Sequence, residues 1–484
     1  MKNSFPDWVL RHKRAKTEIR CIKGRYYLYE VSSKWDRKLK RSKKITGAYL
    51  GSITREGFKP KRNTSDVLAN QSVRVLNAGA IAYLQNRNQD IIKALQEIFP
   101  HHWSSLFVCA VFRLLHRSPL KKMQFYFQNN YASELFSEAR LNPKTLSGYL
   151  GEIGQRRGSI TDFFERFRKG SRFVLIDGTD LTTAASSNEL AAMGYNNRSS
   201  YKPQVNALFI FAQDEKMPLY YRLTGGDIRE ITSMKLAVAE SGLKKAVIVS
   251  DKGFYSRKNI ESLLEEKLHF AIPLKRNNKL INYQTIKNAD KQQFKGFFLY
   301  QKRPIWYTQQ RIKINNRYCN LYVFLDEQLY QEEQRDYLLR VEKQQQGYSL
   351  EAFHQRQHRF GTLALMTCLP KKTNAKQAFE HFKTRNEVEQ MIDVFKNIID
   401  ADRSYMRDKY HLEGWMFINH IALMLYYRIY KELIEHNLLS KYAPVEILEY
   451  FDRIHKVKMD GRWKTSEIPK ATRKLKNKIK FPIT

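Results

Sequence analysis

Three features predict a multidomain α/β protein: the chain length, a change of texture near residue 170, and an alternation of strands and helices beyond it. With 484 residues the chain exceeds what a single core fills, so roughly two to four domains are expected. Residues 1–64 form a basic, partly β region. Arg25-Tyr26-Tyr27-Leu28-Tyr29-Glu30-Val31 and Thr46-Gly47-Ala48-Tyr49-Leu50-Gly51 carry β-forming residues between turn residues, which predicts a small twisted sheet. Residues 65–169 turn helical, with apolar stripes such as Ile91, Ile92, Leu95 and Ile98. Within them Asn142 caps a helix that opens on Pro143 and carries Lys144, and with Ala132 to Ala139 before it this pair has the size of a helix-turn-helix.

From residue 170 strands dominate: Phe173 to Ile176, Val205 to Ala212, Leu219 to Leu223, Ala246 to Ser250 and His269 to Pro273. Helical stretches, Thr232 to Ser241 and Ser256 to Glu266, separate some of them. This order predicts a mixed sheet with flanking helices over 170–274. Residues 275–361 read as a polar, strand-rich insertion with a basic and aromatic stretch from Phe294 to Tyr307. Residues 362–400 return to a buried strand, Leu363 to Leu369, and a helix from Asn374 to Ile399. Residues 401–484 form a C-terminal helical region, His411 to Leu438, and a basic tail, Lys456 to Lys480, expected to be loosely ordered.

Lys and Arg total 85 against 48 Asp and Glu, and a surplus of 37 positive charges calls for a polyanionic partner, nucleic acid first. The first 62 residues hold 19 Lys/Arg and 5 Asp/Glu, interleaved with Tyr26, Tyr27, Tyr29, Trp35 and Tyr49. Basic charge among aromatics suits phosphate contact and stacking, and Lys43 and Lys44 are candidate DNA contacts, although a solvated basic arm reads the same way. The longest apolar stretch, Trp415 to Tyr430, contains Asn419, His420 and Arg428, so no membrane span is expected. The start of the chain lacks a secretory pattern, which points to the cytoplasm. Cys21, Cys109, Cys319 and Cys368 are too scattered for zinc pairs and read as buried thiols.

Asp177 follows the apolar run Phe173-Val174-Leu175-Ile176, which places it at the end of a buried strand. Asp251 follows Ala246-Val247-Ile248-Val249-Ser250 in the same way, and neighbouring strands would bring the two carboxylates together. Either aspartate alone is as well explained by a turn or a cap. Glu389 lies on a stretch without a helix breaker, where Phe382, Arg385, Glu389 and Lys396 fall within about 60° of one another around a continuous helix. Read alone, Arg385 and Glu389 also make an ordinary surface ion pair. Together the three carboxylates suit two hard cations, Mg²⁺ with Mn²⁺ able to substitute, about 4 Å apart around a phosphodiester. Arg385 and Lys396 are then candidates to clamp phosphates. Asp180 and Glu387 stand close by but are assigned no metal role.

These residues carry a family resemblance. The segment Phe382, Arg385, Glu389, Lys396 is similar to the Tyr-Arg-Glu-Lys signature of DDE transposases of bacterial insertion sequences, in the IS-four superfamily. Asp251-Lys252-Gly253-Phe254-Tyr255 and Asp177-Gly178-Thr179 resemble the segments around that family's two aspartates. The resemblance spans roughly 172–438 and implies an RNase H-like catalytic core carrying an insertion, for which 137 residues lie between Asp251 and Glu389. Phe382 departs from the pattern, where a Tyr hydroxyl would contact DNA. Implied further are Tyr255 near the DNA, an insertion aromatic, Trp306 or Tyr307, stacked on a flipped base, and a homodimer that synapses terminal inverted repeats and joins them to target duplex DNA. Lys202 and Arg198 are further basic candidates. Two other readings compete: a transposase-derived DNA-binding or regulatory protein without chemistry, and a stand-alone nuclease of the same fold.

Overall fold

A computed structural model of the chain describes residues 5–36, 40–61, 73–168, 173–185, 187–195, 201–226, 230–243, 247–288, 290–370, 373–459 and 461–482. Arg198 lies outside the described residues. The chain divides into two compact units, residues 1–75 with 456–465, and 76–455 with 466–484.

The first unit holds helix α1 (Asp7–Leu10) and a four-stranded antiparallel sheet of β1 (Thr17–Ile22), β2 (Arg25–Asp36), β3 (Arg41–Thr54) and β4 (Gly57–Pro60) in that order. Its core is small: Val9, Ile19, Leu28 and Ile53, with Trp8, Tyr26 and Phe58 packed against them. The expected sheet is present. The basic tail, expected to be loose, is ordered over much of its length. There β17 (His455–Met459) and β18 (Arg462–Thr465) pair as an antiparallel hairpin, and β5 spans Arg74–Asn77. Beyond it, in the second unit, helix α15 (Lys470–Lys478) is anchored by buried Leu475, Ile479 and Phe481. Sparse apolar residues at helical spacing hold it while the lysines face outward.

The second unit is built on one eleven-stranded sheet, whose main path runs β12-β13-β14-β15-β11-β10-β6-β8-β7, with β16 (Arg403–Ser404) beside β6 and β9 (Met217–Gly225) beside β8. Its strands are β6 (Phe173–Thr183), β7 (Ala192–Tyr195), β8 (Tyr201–Ala212), β10 (Val247–Val249), β11 (His269–Leu274), β12 (Gly296–Tyr300), β13 (Arg303–Ile314), β14 (Arg317–Asp326) and β15 (Thr362–Cys368). β6, β10 and β11 run parallel, the arrangement in which uninterrupted apolar runs are buried on both faces, and all three residues of β10 are buried. The insertion strands β12 to β14 continue this sheet through β15 rather than standing apart. Two insertion helices, α9 (Glu327–Glu342) and α10 (Leu350–Arg356), escaped the sequence reading because they bury so little: Tyr337 alone in α9 and Phe353 alone in α10.

The helices ahead of the sheet are α2 (Gly79–Arg87), α3 (Gln89–Ile98), α4 (Trp103–His116), α5 (Pro143–Gln155) and α6 (Arg157–Glu165); α7 (Glu230–Ser241) and α8 (Arg257–Glu265) lie between its strands. The region 65–169 was expected as a domain of its own, yet α2 to α6 belong to the same compact unit as the sheet. α4 and α5 pack on the long helix α13 (Lys409–Glu435), and α2 packs on α14 (Pro444–Asp452), which follows it. Glycine sets that packing: a Cβ on Gly154 would stand 1.8 Å from the Tyr410 carbonyl oxygen, and one on Gly414 2.3 Å from that of Leu150. The Asn142 cap is as read, its side chain accepting from the Thr145 N–H at 2.9 Å. The helix before it, Ala132–Leu135, is a single turn. Asn419 in α13 is satisfied by Arg113 and by the Trp415 carbonyl, and among the described residues no helix is long and apolar enough to cross a membrane. Of the cysteines, Cys109 and Cys319 are buried, Cys368 is half-buried and Cys21 is exposed.

Candidate active site

Asp177 lies in the middle of β6, not at its end. The strand runs on to Thr183 with Thr179, Leu181 and Thr183 facing inward, a period of two that β8 pairs along its length. What ends near Asp177 is its other neighbour. β10 pairs Val247 with Phe173 and Val249 with Leu175, and the same register carried two residues further sets Asp251 opposite Asp177. Parallel pairing thus brings the two chain segments side by side just ahead of the aspartates. After Asp251 the chain turns through Lys252–Phe254, locked by buried Phe254 and by Asn259 Nδ2 donating to the Phe254 carbonyl at 2.6 Å.

The third carboxylate arrives on two short helices, not the one continuous helix expected. α11 (Ala375–Lys383) opens with a capping box of Asn374 and Gln377. The chain then tightens at Thr384 and Arg385, where Arg385 donates to Phe382 and Val388 to Arg385 in three-residue steps. α12 (Asn386–Asp393) follows, and Val394–Ile398 form a π turn that contains Lys396. The tightened and widened turns alter the angular spacing on which the common face of Phe382, Arg385, Glu389 and Lys396 was predicted.

Arg385 ties the carboxylates together. Its Nη1 lies 3.3 Å from Asp251 Oδ1, and its Nη2 donates to Glu389 Oε1. Asp177 accepts the Gly178 N–H at 3.0 Å and is half-buried. Its carboxyl is raised to about 6, by burial first and then by the charges of Asp251 and Glu389, while the Arg385 charge and the Gly178 N–H pull the other way. All four side chains thus share one electrostatic site. Lys396 Nζ stands 4.0 Å from Asp180 Oδ1, and Glu387 pairs with Lys216 on the other side of the helix. Neither acid joins the trio.

Other sequence candidates are more dispersed. Phe382 is half-buried against the core. Tyr255 is half-buried, and that burial raises its phenol while the Asn278 side chain, hydrogen-bonded to it, acts the other way. Trp306 and Tyr307 occupy opposite faces of β13. Tyr307 joins Phe298 and Phe324, which pack on Phe379 of α11, whereas Trp306 stands by Phe294 and Phe297 with Lys291 Nζ 5.2 Å above its ring. Lys144 and Lys202 are exposed, and Lys43 and Lys44 belong to the separate first unit.

Arg113 was missed. Buried in α4, it donates to Asn419 Oδ1 at 2.7 Å and to the carbonyls of Ser118, Ile399 and Asp400 at 2.8, 2.7 and 2.9 Å. It therefore holds the end of the segment that carries Glu389. A lone arginine inside the apolar run Val111-Phe112-Arg113-Leu114-Leu115 was the available signal.

As placed, no three His, Cys, Asp or Glu side chains among the described residues are grouped to grip one metal ion. The guanidinium of Arg385 supplies the positive charge between Asp251 and Glu389. The donor set nevertheless fits a hard cation: oxygen donors only, one of them raised by desolvation and by the charges of the other two, so that positive charge there would be stabilised. Carboxylates so arranged on a sheet and a helix define a site suited to phosphoryl transfer.

Residues 168–425, more than half of the chain, match the family described as the transposase DDE domain, and the chain belongs to that family. It is a DNA-cleaving and strand-transferring class of enzyme. No curated protein matches the chain. Among solved structures, a cryo-EM structure of the piggyBac transposase synaptic complex with hairpin DNA is similar at 13% identity, over 78% of this chain and 79% of that one, with a TM-score of 0.38.

Proposed function

We propose that the protein is the transposase of a bacterial insertion sequence of the IS-four superfamily, with an RNase H-like core, that binds terminal inverted repeats as a homodimer, cuts them and joins them to target DNA. The observation that supports this reading is the parallel pairing of β10 with β6 just ahead of Asp251 and Asp177, together with Arg385 beside Asp251 and Glu389. Asp177, Asp251 and Glu389 would hold two Mg²⁺ or Mn²⁺ ions. When bound, these cations lower the pKa of an attacking water or 3′-hydroxyl and stabilise the leaving oxygen. The chain's own residues supply position. β6 and β10 position two carboxylates, Arg113 anchors the end of the segment that carries the third, and Arg385, beside Asp251 and Glu389, would offer its guanidinium to a DNA phosphate.

In this reading the reaction is cut-and-paste, with hairpin ends as one route, and the soluble enzyme works in the cytoplasm on the nucleoid. Lys396, Tyr255 and Lys144 are proposed DNA contacts. Trp306 or Tyr307 would stack on an unpaired base; normal hairpin formation by both Trp306→Ala and Tyr307→Ala would exclude this. The function is tested by incubating the protein with DNA flanking its own gene, with and without Mg²⁺, beside Asp177→Ala. Metal-dependent cuts at paired repeats, absent in the variant, are expected. Binding without cuts would instead favour a regulatory DNA-binding protein, and cuts without joining or end preference a stand-alone nuclease.

A further inference from the structure

The hairpin of β2 and β3 outgrows its sheet. β1 pairs with Arg25 to Glu30 only, and β4 with Gly51 to Thr54 only. Beyond those limits six cross-strand pairs, from Val31 with Thr46 to Asp36 with Arg41, have no third strand beside them among the described residues, although the Val31 N–H still donates to the Lys16 carbonyl at 2.8 Å. The side chains from Ser32 to Trp35 and from Arg41 to Ala48 are all exposed, and none belongs to the unit's core. A two-stranded ribbon is marginal in water without a packed face. This one keeps exposed apolar groups, Ile45 and Trp35, and adds a further cost: Lys34 stands directly opposite Lys43. Like charges so placed repel, and among the described residues no carboxylate pairs with either lysine. By contrast, the root of the ribbon is tied, because Glu18 pairs with Lys44 at 2.9 Å and Arg20 donates to Thr46. The root is braced, and beyond it Lys34 and Lys43 have no ion-pair partner among the described side chains.

We propose that this ribbon lies in the major groove of duplex DNA, with Lys34 and Lys43 taking phosphates and Ile45 meeting base edges. Cross-strand partners share a face, so Lys34, Lys43, Ser32 and Ile45 present one surface, and Val31, Ser33, Trp35, Ser42, Lys44 and Thr46 the other. Two strands about 4.8 Å apart fit a groove about 12 Å wide, which admits a β-ribbon as readily as a helix. Duplex phosphate is the anion that removes the lysine repulsion, and an exposed isoleucine between polar neighbours suits a thymine methyl. The proposal rests on the protein acting on duplex DNA, but it does not involve the carboxylates.

The test measures binding of the full chain to a duplex, and to a single strand of the same sequence, over a salt series. It compares wild type with Lys34→Ala/Lys43→Ala and Lys34→Glu, while the Asp177→Ala protein reads catalysis separately. For the double alanine variant the log–log salt slope should fall by about 2 and affinity roughly tenfold at moderate salt. Protection of guanine N7 from methylation, present in wild type, should disappear where the ribbon sits. Lys34→Glu should bind DNA more weakly yet melt slightly higher when free, because it replaces a repulsive pair with an attractive one; a ribbon with only a structural role would not give these opposite signs. Wild-type slope and protection in the double variant would overturn the ribbon while leaving the transposase reading intact. Preference for the single strand, or no binding to any DNA by wild type, would overturn it as well, and in the second case would remove the transposase reading too.

Discussion

The two units put their charge to opposite uses. Around Asp177 the chain spends buried strands, a parallel register and a buried arginine to hold acidic groups close together in one place. Along β2 and β3 it leaves basic groups exposed and opposed on a ribbon with no packed face. Chemistry needs ligands fixed before substrate arrives, so it is built on the core. Recognition of a polyanion needs accessible charge, so it is built where the core is thinnest. Substitutions should therefore separate: those near the carboxylates change reaction or stability, and those on the ribbon change affinity.

The largest separation is expected at Glu389. Glu389→Gln should lower strand cleavage by about 10³-fold or more, because a metal-ligand carboxylate contributes several kcal/mol, while DNA affinity at fixed salt stays within about twofold. Equal losses of both in quantitative cleavage and binding assays would break the comparison. Next comes Arg113→Met. It strips partners from buried carbonyls at the end of the Glu389 segment and should cost about 3–5 kcal/mol in denaturant unfolding. An unchanged midpoint would show that the anchor is dispensable.

Gly154→Ala sharpens the same point more modestly. Its methyl would meet the Tyr410 carbonyl, so about 1–3 kcal/mol of stability should be lost in the same unfolding assay. Asp177 gives a pH signature of similar size. Its folded carboxyl titrates near 6, above the ordinary value of 3.8, so the folded state holds the proton more tightly than the unfolded one. Stability from this group is present at low pH, is lost as pH rises from about 4 to about 6, and stays lost above that. Asp177→Asn in divalent-free buffer should therefore gain about 2–3 kcal/mol near pH 7.5 and almost nothing near pH 4. A gain independent of pH would contradict the burial account. Smallest of all, Ile45→Thr on the ribbon should move the thermal midpoint within the range of about 0.5 kcal/mol.

The same contrast explains what could be read in advance. Runs such as Val247-Ile248-Val249 signal strands buried on both faces, and β6, β8, β10, β11 and β15 lie where such runs or their β-rich extensions occur. Asp177 was assigned to a strand end because apolar continuity stops at Ile176; the strand continues in an alternating pattern imposed by β8, a neighbour distant in sequence. The tightened turn at Arg385 and the π turn at Lys396 have no local breaker residue to announce them. Arg113 is legible only as an anomaly, since its four acceptors are scattered from Ser118 to Asn419. On the first unit composition announced basic β-structure, but the free length of the ribbon depends on where β1 and β4 stop pairing.

The central claim is that Asp177, Asp251 and Glu389 together hold divalent cations, and Mn²⁺ binding followed by electron paramagnetic resonance tests it most directly. Wild type should immobilise Mn²⁺, and Asp177→Ala, Asp251→Ala and Glu389→Ala should each weaken that binding at least tenfold while the proteins stay folded. Wild-type Mn²⁺ binding in all three variants would contradict the account.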